Sequence, residues 1–111
     1  MRGRAGESLA AAYLELVGLR VKERNLRVAG VEVDLMAAEG STSVLVEVKF
    51  RGRRDYGGAA LAVDHRKGER LRRAARTLAG WGESRVRIDV VTVELDPEGA
   101  VVRHYRNAVT D

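Results

Sequence analysis

The sequence predicts a mixed α/β domain with the element order αβββαββ. Two stretches with apolar residues at helical spacing, three β-rich runs between them and two more after the second carry that prediction. The chain is 111 residues long, with no cysteine and one proline. A single domain, residues 1–111, is the expectation for that length. A folded chain of this size hides roughly two-thirds of its unfolded surface, so an ordinary core suffices. Disulfide scaffolds and zinc–thiolate sites are excluded because both need cysteine. With 45% hydrophobic and 32% charged residues, the composition is that of a globular chain.

The first helix is expected over residues 6–17, where Leu9, Ala12, Tyr13, Leu16 and Val17 share one face and Gly18 supplies the stop. Residues 19–28, with Leu19, Val21, Leu26 and Val28 among charges, read as a first strand. Two stronger strands follow. Val31, Val33, Leu35 and Ala37 alternate in one, and Val44, Val46, Val48 and Phe50 in the next, with turn residues at 39–42 between them. A glycine-rich basic loop over 51–60 leads to a second helix that Asp64 can cap, with Leu71, Ala74, Ala75 and Leu78 as its apolar stripe. Residues 86–95 are nearly all β-branched, as in a strand covered on both sides, and the turn Asp96-Pro97-Glu98-Gly99 leads to a last strand at 100–105.

The formal net charge of +4 hides an uneven distribution: residues 49–76 hold ten Lys or Arg against three acids, a net of +7, which leaves −3 for the rest. Such a concentrated positive field attracts polyanions, of which nucleic acid is the commonest. Arg51, Arg53, Arg54, Arg66, Lys67, Arg70 and Arg73 are the expected phosphate contacts. No apolar run approaches the roughly 20 residues that span a bilayer. The N-terminus leads into Glu7 rather than into a signal-peptide stretch, so no membrane and a cytoplasmic location are expected.

The polar faces of strands two and three carry Glu32 and Asp34, and Glu47 and Lys49. Facing residues of an antiparallel pair have a constant index sum, and the turn at 39–42 sets that sum at 81. Asp34 then faces Glu47, and Glu32 faces Lys49, with Cβ atoms roughly 5 Å apart. Two carboxylates at that distance repel, so something positive must sit with them. The candidates are a hard divalent cation, Mg²⁺ or Mn²⁺, and Lys49 as an internal counter-ion. A cation on Asp34 and Glu47 with an ammonium beside it is a set of parts for phosphodiester hydrolysis. The bland alternative is a surface ion-pair ladder.

Asp34, twelve intervening residues, then Glu47-Val48-Lys49 resembles the motif of PD-(D/E)xK nucleases. The wider pattern resembles the YraN-like family of bacterial proteins, which is similar to Holliday-junction resolvases. It includes Gly6-Glu7, Asn25, Tyr56-Gly57, Ala62-Val63-Asp64 with Lys67, Asp89-Val90-Val91 and Arg106-Asn107-Ala108. This resemblance implies a restriction-endonuclease-like fold, with Asp34 and Glu47 as metal ligands, Lys49 as the catalytic lysine, Glu7 brought in from helix one, Glu32 as an auxiliary acid and Lys67 on phosphate. It also implies a DNA substrate, with branched or structured DNA favoured, and a homodimer offering two sites to it. The chain departs from the family pattern at Val31, where Gly is usual, and at Gly68, where Gln often follows the lysine.

Two other functions remain open: a nucleic-acid-binding module without catalysis, and a protein adaptor, which would show no DNA affinity. His65 and His104 are isolated and read as surface or packing histidines, while Tyr56 and Trp81 could stack on bases or, for Trp81, cap the core.

Overall fold

A computed structural model describes residues 2–51, 65–82 and 85–109. Its elements are α1 (Arg2–Leu16), β1 (Arg20–Val28), β2 (Val31–Glu39), β3 (Thr42–Arg51), α2 (His65–Gly80), β4 (Arg85–Asp96) and β5 (Gly99–Tyr105). The predicted order αβββαββ holds. The strands form one mixed sheet in sequence order, antiparallel throughout except for the parallel β3–β4 pair. Only that parallel pair needs a crossover, and α2 lies within it. The expected Asp64 cap and the glycine-rich loop lie outside the described residues.

A core lies on each face of the sheet. Ala10, Ala11 and Leu14 of α1 pack on Leu35, Ala37, Val44, Val46, Val91 and Val93. Leu71, Ala74 and Leu78 of α2 pack on Val28, Val31, Val33, Leu45 and Ile88. Central β3 is therefore covered on both sides, which is why its Ser43 and Glu47 are buried along with Val44, Leu45 and Val46. No helix among the described residues is long and apolar enough to cross a membrane.

Two expectations are corrected. Of the stripe expected to bury α1 only Tyr13 packs against the core: Leu9, Leu16 and Val17 are 38%, 84% and 39% exposed, while Gly6, Ala10, Ala11 and Leu14 face the sheet. Residues 9–14 of this helix are all apolar, so periodicity allowed two registers. Close approach selects the face of small residues, and a Cβ at Gly6 would lie 2.5 Å from a ring carbon of Phe50.

The second correction concerns β2. Its register with β3 has the expected index sum of 81 from Glu39↔Thr42 to Leu35↔Val46, and there the pairing ends. Towards its start, β2 is paired among the described residues with β1 alone, down to Val28↔Val31 around a two-residue turn whose Ala29 and Gly30 both have positive φ. Such a turn suits the right-handed twist of a two-stranded ribbon. The ribbon leaves β3 at residue 34, and its Val31 and Val33 join the α2 core although Leu35 and Ala37 belong to the α1 core. Glu32 therefore does not take a ladder position opposite Lys49. It pairs with Arg27 of β1 at 3.8 Å and is largely exposed.

Candidate active site at the strand fork

Where β2 and β3 part, the ladder loses a backbone acceptor, and Asp34 replaces it with its side chain. The Val48 N–H donates to Asp34 Oδ2 at 2.8 Å. That bond fixes the aspartate at the fork, on the edge of the strand carrying Glu47 and Lys49. By strand alternation Glu47 and Lys49 follow Leu45 onto the α2 face.

Glu47 is nearly enclosed, with 11% of its side chain exposed, and its Oε2 lies 3.3 Å from Lys67 Nζ in the first turn of α2. Asp34 is close enough to share a hydrogen bond with it. Burial, then the hydrogen bond and charge of Asp34, push the Glu47 carboxyl up to about 7, against the smaller pull of Lys67 in the other direction. The expected meeting of Asp34 and Glu47 thus occurs, and Lys67 sets a positive charge on Glu47.

Lys49 is half-buried two residues along the same face. Its partner across the parallel ladder is Thr92, 1% exposed, whose Oγ1 has no hydrogen-bond partner among the described residues. Glu7 follows Gly6, which lies against the Phe50 ring on the α1 face of the sheet, opposite the face that carries Glu47 and Lys49. Glu32 stands apart, and no group of three or more His, Cys, Asp or Glu side chains suited to one metal occurs among the described residues. Among the described residues, the donors available to a cation would be the Asp34–Glu47 pair. Two carboxylates suit a Mg²⁺-type ion, which keeps several waters and takes its remaining ligands from substrate phosphates rather than from a protein cage.

Beside this pair runs a cleft of about 290 Å³ lined by Arg27, Gly30, Glu32, Lys67, Arg70 and Arg73. Three of the expected phosphate contacts line it, and Arg66 lies on the same helix. Arg51 ends β3, while Arg53, Arg54 and Tyr56 lie outside the described residues. Trp81 is 69% exposed, so it does not cap the core. His104 is a packing residue: its side chain is 4% exposed, its Nε2 lies 2.7 Å from Asp89 Oδ2, and its ring meets Tyr13 edge-on.

The family model described as "Uncharacterised protein family UPF0102" matches residues 6–93. The chain belongs to this family. UPF0102 proteins of Frankia casuarinae and Geobacter sulfurreducens are 44% and 41% identical to it over 110 residues, covering 96% of this chain and 93% and 86% of theirs. One from Halorhodospira halophila is 43% identical over 84% of this chain and 77% of its own. Among solved structures, Pyrococcus furiosus SfsA in complex with Ca²⁺ aligns over 98% of this chain at a TM-score of 0.42 and 16% identity. This chain spans 64% of that protein, and a likeness of that size transfers neither fold nor activity. Within the UPF0102 chain, sequence reasoning missed Arg27, Thr92 and the direct Lys67–Glu47 pair. Arg27 and Thr92 carry no signal in one sequence. The third could have been sought from the uncompensated acid pair.

Proposed function

We propose that this protein is a metal-dependent DNA endonuclease with Asp34, Glu47 and Lys49 at its centre. The observation that carries the reading is the carboxyl pair at the strand fork, where a buried glutamate is pushed up to about 7 beside a second acid. A fold retains such a pair at a cost unless a cation uses it. A divalent cation held there would polarise a phosphodiester and make a bound water more acidic. The chain's own residues do the rest: Val48 holds Asp34 in place, Lys49 balances charge developing on phosphorus or orients the attacking water, and Lys67, Arg70 and Arg73 grip the backbone. Preference for branched or structured DNA, and a dimer to meet it, rest on the family resemblance alone.

The Lys67–Glu47 ion pair favours a second reading, a nucleic-acid-binding module whose acid is neutralised internally. Linear, nicked, flapped and four-way DNA incubated with Mg²⁺ or Mn²⁺ separates the two. Cleavage of at least one substrate, abolished by Asp34→Asn, is the expected result. Tight binding of all four without product would leave the binding module.

A further inference from the structure

One ammonium in this site serves two places. Lys67 Nζ lies 3.3 Å from Glu47 Oε2, yet the same residue, 36% exposed at its side chain, lines the cleft with Arg27, Arg70 and Arg73. Arg27 reaches the cleft because the β1–β2 ribbon bends away from β3, and Gly30 at the ribbon's turn lines it as well. Among the described residues, three guanidinium groups and one ammonium line the cleft against the one carboxylate of Glu32, a balance that suits an anion. Lysine suits a shared role: it is a point charge on a flexible four-carbon stem, without the fixed fork that ties arginine to one geometry.

We propose that Lys67 is an exchangeable cation. In the empty site it neutralises Glu47, and it turns into the cleft when a backbone phosphate next to the scissile one occupies the space between Arg27, Arg70 and Arg73. This rests on the endonuclease reading and adds a regulation to it. A divalent cation on Asp34 and Glu47 repels the ammonium, and a phosphate in the cleft attracts it, so each ligand removes an obstacle to the other. Coupling between two ligands is reciprocal, which means that nucleic acid tightens metal binding by the factor by which metal tightens nucleic-acid binding. The device keeps an ammonium against Glu47 until substrate arrives.

The test is calorimetric titration of Mn²⁺ into the full chain, with and without a duplex carrying hydrolysis-resistant phosphorothioate linkages. Lys67→Gln, which keeps a hydrogen-bonding group on Glu47 but removes the charge, is expected to bind Mn²⁺ about 5-fold or more tightly than wild type without DNA, the lower end of ordinary coupling factors. The duplex should then improve Mn²⁺ affinity less for Lys67→Gln than for wild type. Arg70→Gln, equally basic and on the same cleft, controls for general electrostatics and should tighten Mn²⁺ distinctly less. Lys67→Met repeats the measurement without the amide. Wild type that binds Mn²⁺ while both Lys67 variants bind it equally or more weakly would overturn the exchange. Wild type that binds no Mn²⁺ under either condition would overturn the endonuclease reading and the exchange with it.

Discussion

Glu47 concentrates the tension of this molecule in one side chain. Its carboxyl stands at about 7 rather than 4.5, because burial and Asp34 outweigh Lys67. Between those values the folded chain holds a proton that the unfolded chain has released, so stability falls as pH rises through that window. Metal-free Glu47→Gln carries no such penalty. Denaturant unfolding of both proteins should show Glu47→Gln close to wild type near about pH 5 and more stable near about pH 8, by up to ~3 kcal/mol. Equal stabilities at the higher pH would mean that the acid is not strained. Asp34, Glu47 and Lys49 were legible in the sequence because strand alternation and one turn length place them together. The Lys67 contact was not, since 20 residues and a change of element separate it from Glu47. Thr92 was invisible for another reason: in Val91-Thr92-Val93 a threonine reads as one more β-branched strand residue.

At the scale of elements, the sheet is sealed at one end and forked at the other. Near the start of β4 the fully buried Asp89 accepts from Arg87 Nε at 2.9 Å and Nη2 at 3.1 Å and from the Asn107 N–H at 2.9 Å, and it meets His104 at 2.7 Å. Arg87 and Arg106 both reach Glu39 at the end of β2. Three strands and the segment after β5 are thereby tied together, away from the residue-34 fork. Removing the charge from a buried, paired carboxylate costs about 3 kcal/mol or more. Asp89→Asn is therefore expected to lower the calorimetric melting temperature by roughly 10 °C or more, while Mn²⁺ affinity in the folded protein stays that of wild type. An unchanged melt would show that neutral hydrogen bonds suffice at this knot. The succession of elements and the turns were legible, since alternation and Gly or Asp-Pro punctuation mark them. The buried face of α1 was not, because close packing of Gly6 against Phe50, rather than apolar count, decides it.

Across the whole molecule, charge is sorted by position more than by amount. The +7 of residues 49–76 was legible as composition, but the surface it builds was not, because Arg27 comes from outside that segment. On β1 it sits among Lys22, Glu23 and Arg24, an ordinary solvated stretch, and only the bend of the β1–β2 ribbon sets it against α2. Four cations in one cleft should release counterions from nucleic acid as a unit. A contact of that size gives a plot of log affinity against log salt with a slope of roughly −3 to −4, steeper if residues outside the cleft add contacts. Loss of one phosphate contact weakens binding to all sequences alike and makes the slope shallower by about 1. Arg27→Gln should do so as fully as Arg70→Gln, although it lies 43 positions away in the chain and outside the basic segment. Fluorescence anisotropy with two unrelated duplexes, from roughly 50 to 200 mM salt, measures both slope and uniformity. If Arg70→Gln flattened the slope while Arg27→Gln left it unchanged, the polyanion would follow α2 alone, and the ribbon's bend would serve the α2 core rather than the substrate.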